Sequence, residues 1–106
     1  MERKRLMEQG YGVMEEEAEK IAKSVDHASK QAVRTIFTTI LEMERQPEKL
    51  PLAKHKLYYH AKRNPKVMPI VKEIEPLLRY KKEEELKRLE EFVEAIVAYH
   101  YYYSKE

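Results

Sequence analysis

Cysteine is absent from the 106 residues, which excludes disulfides, thiolate nucleophiles and cysteine-based zinc sites. Glycine occurs only at Gly10 and Gly12, so no glycine-rich phosphate loop can form in the body of the chain. Serine is confined to Ser24, Ser29 and Ser104, none in the strand-turn-helix setting that exposes a nucleophile. Long apolar runs are missing too. The longest uncharged stretch, Ala95 to Ser104, is far short of a membrane span, and the first thirty residues carry no signal-peptide core. A cytoplasmic location is the resulting expectation.

Charge is abundant, and its distribution is uneven. Between Lys49 and Lys66 the chain reads KLPLAKHKLYYHAKRNPK, with six cations and no acidic residue. The net charge of the whole chain is only +2, so everything outside this stretch sums to about −4. A localised basic segment carrying Tyr58 and Tyr59 points to a polyanion, of which a nucleic acid is the commonest.

The five prolines, Pro47, Pro51, Pro65, Pro69 and Pro76, punctuate the middle of the chain and leave long proline-free runs on both sides. With apolar residues at helical spacing, this layout predicts an all-α domain: a single compact bundle of about five helices over residues 14–106, preceded by a flexible arm over residues 1–13. Arg3, Lys4 and Arg5 place a small positive cluster on that arm. Met14, Ala18, Ile21, Ala22 and Val25 define the first helix. Asp26 or Ser29 caps the second, whose apolar face is Ala32, Val33, Ile36, Phe37, Ile40 and Leu41. Lys30, Arg34, Thr38 and Arg45 lie along its flank as a sparse basic stripe.

Pro51 suits the first turn of a third helix. Its seam is thin, Leu50, Ala53, Leu57 and Ala61, while Lys56, Tyr59 and Arg63 share the opposite arc with His55 and Lys62 beside them. A fourth helix carries Val67, Ile70, Val71, Ile74, Leu77 and Leu78, with Pro69 in its first turn and a bend or break at Pro76. The fifth, from about Glu83 to Tyr102, buries Leu86, Leu89, Phe92, Val93, Ile96, Val97 and His100. Tyr99, Tyr101, Tyr102 and Tyr103 surround its end too completely to face one core, so at least one is expected to meet a partner.

Catalytic and metal chemistry find little support. The many glutamates sit on helix surfaces. His27, His55, His60 and His100 lack the spacing of a ligand set, and the five-position separation of His55 and His60 turns the two rings about 140° apart on a helix. Asp26-His27 resembles the dipeptide of a metal-dependent phosphohydrolase, but the upstream histidines such a site needs are missing. His100, on an apolar face, reads as a hydrogen-bonded core histidine. No catalytic residue, metal or cofactor is expected.

Two stretches resemble the small all-helical subunit of type III-A CRISPR-Cas effector complexes, the Csm complexes. That family carries a segment close to K-L-x-Y-x-x-x-R, matched in order by Lys56, Leu57, Tyr59 and Arg63. Its last helix reads like F-F-E-A-I-V-A-Y-H, and here Phe92-Val93-Glu94-Ala95-Ile96-Val97-Ala98-Tyr99-His100 follows it. The resemblance runs from about Ser29 to Tyr102. An earlier helix in many members opens with T-S-Q-L-R. Here Ser29-Lys30-Gln31-Ala32-Val33-Arg34 sets Gln31 one residue further from the arginine, so Arg34 carries over and Ser29 and Gln31 do not.

The resemblance implies a non-catalytic subunit, present in several copies along a filament with other Csm complex subunits, that holds guide RNA and target RNA through positive surfaces largely without reading sequence. Joined to the helical phasing, it selects Lys56 and Arg63 as phosphate contacts, with Arg34, Lys54 and Lys62 supporting and Tyr59 either stacking on a base or anchoring its helix. Self-association is part of the same expectation. From the residues alone an alternative stays open: a helical scaffold or homodimerisation module whose basic helix meets an acidic protein partner.

Overall fold

Helices form where the apolar period runs uninterrupted and end where proline or a capping residue intervenes. A computed structural model describes residues 10–78 and 83–105, except for the side chains of Tyr11, Pro47 and Glu83. Within them lie five α-helices: α1 (Tyr11–Ser24), α2 (Lys30–Glu44), α3 (Ala53–Arg63), α4 (Met68–Ile74) and α5 (Glu83–Tyr103). Three 3-10 segments, Pro47–Leu52, Pro65–Val67 and Glu75–Leu77, join them. The described residues contain no strand, and the all-α class follows. Of the arm expected over residues 1–13, the first nine residues, with Arg3, Lys4 and Arg5, lie outside the described residues; α1 already begins at Tyr11.

The caps and breaks have local causes. Ser29, not Asp26, caps α2: its Oγ accepts from the Ala32 N–H at 3.0 Å. Pro51 does not open α3 as expected. Pro47 and Pro51 each lack a donor, so the stretch between them takes the tighter 3-10 form, with the Lys49 N–H donating to the Gln46 carbonyl at 2.8 Å, and regular α-helix starts only at Ala53. The fourth helix is likewise shorter than its apolar period. Pro69 sits in its first turn, and α4 stops at Ile74 because Pro76 offers no N–H to continue the ladder; the Leu78 N–H closes a 3-10 turn on the Glu75 carbonyl at 3.1 Å.

The core sits where α5 lies against α1 along most of its length and also packs on α2. Leu89, Phe92, Val93 and Ile96 of α5 meet Met14, Ala18, Ile21 and Val25 of α1 and Val33, Ile36 and Ile40 of α2, all buried. Phe37, Leu86 and Val97, expected on the same faces, are only partly buried at the margin. On the other side of α2 the small seam of α3 is sealed: Leu50, Ala53 and Leu57 are 0% exposed and Ala61 is 1%. The alanines leave no bulk between the helices, so α3 approaches closely.

The C-terminal tyrosines divide. Tyr103 donates its hydroxyl to Glu19 Oε2 at 2.6 Å, and that carboxylate pushes the phenol pKa up to about 12. Tyr99 packs on the core, and burial, followed by Glu15, raises its pKa. Tyr101 and Tyr102 are 68% and 79% exposed. The Lys105 N–H donates to the Asp26 carbonyl at 2.8 Å and ties the end of α5 to the α1–α2 turn.

Where α2 ends on α5, the Glu44 carboxyl meets Glu90. Burial, the hydrogen bond between the two side chains and their mutual repulsion hold the Glu44 pKa up at about 7. A carboxyl raised in the folded state contributes stability that is complete below its ordinary pKa and is lost as pH rises through about 7. Chemical melts across pH should therefore show Glu44→Gln to be more stable than the parent at pH 8, with the advantage shrinking below pH ~5. In the same assay Leu57→Ala should cost about 3 kcal/mol, because it opens a cavity in a fully closed seam.

Candidate nucleic-acid interface

The α3 helix has the sequence AKHKLYYHAKR, with four permanent cations and no acid. Burying Ala53, Leu57 and Ala61 fixes its rotation. On a helix advancing about 100° per residue, Lys56, Tyr59 and Arg63 then fall within an arc of about 60°, and His55 and Lys62 flank it on one side. All five are exposed, Tyr59 by 68%. Lys56, Lys62 and Arg63 make no ion pair with any acidic group among the described residues.

Lys54 departs from this group. It lies nine residues before Arg63, about 180° round the helix. Its Nζ sits 3.0 Å from Glu75 Oε1. Glu75 also accepts from the Tyr58 hydroxyl at 2.7 Å, and Lys72 Nζ donates to that hydroxyl oxygen at 2.8 Å while lying 5.0 Å from the centre of the Tyr58 ring. The Tyr58 and Lys54 hydrogen bonds hold the Glu75 carboxyl below its usual range, and the bond to Tyr58 raises the Lys72 ammonium. Of the two adjacent tyrosines, Tyr58 is therefore the one that anchors α3, and Tyr59 is left to solvent. The adjacency of Tyr58 and Tyr59 signalled that one faces in and one out; which one depended on the partner, Glu75.

A second tether sets α3 against α2. His60 Nε2–H donates to the Ala32 carbonyl at 2.8 Å, and the Asn64 side-chain amide approaches His60 Nδ1 at 3.4 Å and the His60 carbonyl at 3.3 Å. The carbonyl at Ala32 can only accept, so the imidazole carries its proton on Nε2. This bond brings the end of α3 beside the first turn of α2. Arg63 and Lys66 then line a groove of about 250 Å³ with His27, Ser29 and Asn64. Lys66 lies beyond the helix break at Asn64-Pro65 and His27 in the α1–α2 turn, and the packing of α3 on the start of α2 brings both to the groove of Arg63.

Arg34 lies elsewhere on the same helix. It is exposed and lines a cleft on the opposite side of the first turn of α2, with Lys30, Gln31, Val97, Ala98, His100 and Tyr101. Lys30 Nζ rests 4.5 Å from the centre of the Tyr101 ring. His100 is 1% exposed, as its apolar face implied, yet its Nε2 has no hydrogen-bond partner among the described residues. That corrects the expectation of a hydrogen-bonded core histidine at Nε2: the helical period that buries the ring does not supply a partner for its nitrogen. The described residues also contain no group of three or more metal-ligating side chains and no helix long and apolar enough to cross a membrane.

The geometry makes a specific demand on His60. Its replacement by alanine should lower stability by about 1 kcal/mol and leave the Ala32 carbonyl unpaired. Amide exchange should quicken through the last turn of α3, with little change in α5, as read residue by residue in an NMR exchange experiment.

The all-helical bundle agrees with a family comparison. A family model described as Csm2 Type III-A matches residues 8–106. No similar curated protein and no similar solved structure was found. With nearly its whole length matched, the chain belongs to the Csm2 Type III-A family, the small subunits of the type III-A CRISPR Csm complex.

Proposed function

We propose that this subunit is non-catalytic and binds the backbone of guide RNA and target RNA without reading sequence, as one of several copies along a filament of Csm subunits in the cytoplasm. The observation that carries the proposal is the outward arc of α3: Lys56, Lys62 and Arg63 have no acidic partner among the described residues, and an exposed Tyr59 stands among them. Each phosphate neutralised by such a cation releases a condensed counterion, which favours association at low salt regardless of base sequence. Arg34 and, from the neighbouring groove, Lys66 extend the same field. Lys54 ranks below them, because Glu75 already neutralises it.

Two or three phosphate contacts make a weak site on a free monomer. Copies ranged along one strand, held by other subunits, convert each further contact into an intramolecular one and raise the total affinity. Self-association along the RNA is the assembly that suits such a site.

Fluorescence anisotropy of a labelled single-stranded RNA, titrated across salt concentrations, tests this reading. Log affinity should fall linearly with log salt. Lys56→Ala with Arg63→Ala should flatten that slope by about 1.4, since each single-strand phosphate contact contributes about 0.7. An unchanged slope and affinity in the double variant would mean that the RNA, if bound, lies elsewhere.

A further inference from the structure

The cleft between the first turn of α2 and the end of α5 has features that backbone binding does not use. Its volume is about 500 Å³, within the range of pockets that hold small organic ligands. Val97 and Ala98 provide an apolar wall, and Tyr101 offers a ring that is 68% exposed. Lys30 and Arg34 bring two cations, and Gln31 an amide that both donates and accepts. His100 lines the same cleft, 99% buried, with an Nε2 that finds no partner among the described residues. A buried nitrogen left unpaired costs free energy, and a bound group that hydrogen-bonds to it would recover that cost.

Taken together, the geometry points to a subsite for one unstacked ribonucleotide: a planar base against Tyr101 and the apolar wall, its edge read by Gln31 and His100, and its phosphate held by Lys30 and Arg34. The Lys30 ammonium lies 4.5 Å from the centre of the Tyr101 ring, so this ring face already takes a close electrostatic partner. The subsite rests on the RNA-binding reading and deepens it. Lys30 and Arg34 line this cleft, while Ser29 and Ala32 of the same turn line the groove of Arg63. A strand crossing the start of α2 passes from one to the other.

The distinguishing feature is dependence on the base. Anisotropy with the full chain should compare a single-stranded RNA of twelve nucleotides with an abasic ribose-phosphate strand of equal length. The parent should bind the base-bearing strand roughly tenfold more tightly, the scale of one base–aromatic stack. Tyr101→Ala should abolish that ratio and leave the abasic strand unaffected, Gln31→Ala should reduce it, and Tyr101→Phe should keep it. Tyr101 is mostly solvent-exposed, so matching thermal melts are expected for these variants.

Lys56→Ala with Arg63→Ala should weaken both strands alike and preserve the ratio. Loss of the RNA-binding reading would appear as no binding of either strand by the parent. Loss of the subsite alone would appear as equal binding of both strands, or as a ratio that survives Tyr101→Ala. Titration of adenosine and uridine 5′-monophosphate separates strand from free nucleotide: NMR shifts at Ala98 and His100 saturating at micromolar mononucleotide, with a strand ratio of one, would assign the cleft to a free nucleotide and overturn the proposal.

Discussion

A helix with four permanent cations and no acid can join a bundle only if its charges point away from the core, and the narrow stripe of Ala53, Leu57 and Ala61 is what makes that possible. Burying a single unpaired ammonium would cost several kcal/mol, whereas burying two methyl groups and one isobutyl group stabilises the contact. The stripe is thin enough that most of the circumference of α3 stays in water. The rotation that closes the seam is therefore the same rotation that presents Lys56, Tyr59 and Arg63 together. Packing and charge display are one constraint in this helix.

Two polar ties turn that rotation into a fixed position. On one flank Glu75 gathers Lys54, Tyr58 and Lys72, drawing one lysine of α3 into the fold and separating it from the unpaired ones. On the other, His60 reaches the Ala32 carbonyl of α2. These exposed and half-buried bonds contribute modestly to stability. Their consequence is directional: they set α3 at the first turn of α2, which has a groove on each side. One holds Arg63 and Lys66, and the other Lys30, Arg34 and Tyr101.

The acidic residues follow a complementary rule. Glu15, Glu19, Glu91 and Glu94 lie on α1 and α5, away from the α3 face, and part of the phenol population of α5 is used to bind them, as the bond from Tyr103 to Glu19 shows. A polyanion approaching the α3 face therefore meets no carboxylate on that helix. Glu75 is the acid that does reach α3, where it pairs with Lys54 and Tyr58, while Glu44 and Glu90 are forced together at the end of α2. They share their site at the cost of keeping one proton near neutrality.

Much of the fold was legible in the chain, because helical period and proline positions are local properties. The five helices, the Ser29 cap as one of two candidates, the seam of α3 and the buried face of α5 all follow from residues within a turn or two of one another. Helix ends were less legible where prolines crowd. Whether Pro51 starts an α-helix, or Pro76 bends or ends one, turns on competition between α and 3-10 hydrogen bonds that spacing does not reveal. The basic arc, Lys56, Tyr59, Lys62 and Arg63, was visible for the same local reason. What only the tertiary structure decided are the relations between elements: that Lys54 is taken by Glu75, that Tyr58 and not Tyr59 is the anchor, that Lys66 and His27 join Arg63, and that His100 is buried without a partner beside Tyr101. Each depends on how elements distant in the sequence pack against one another. A one-dimensional period can orient a residue on its own helix, but it carries no information about which distant group will face it.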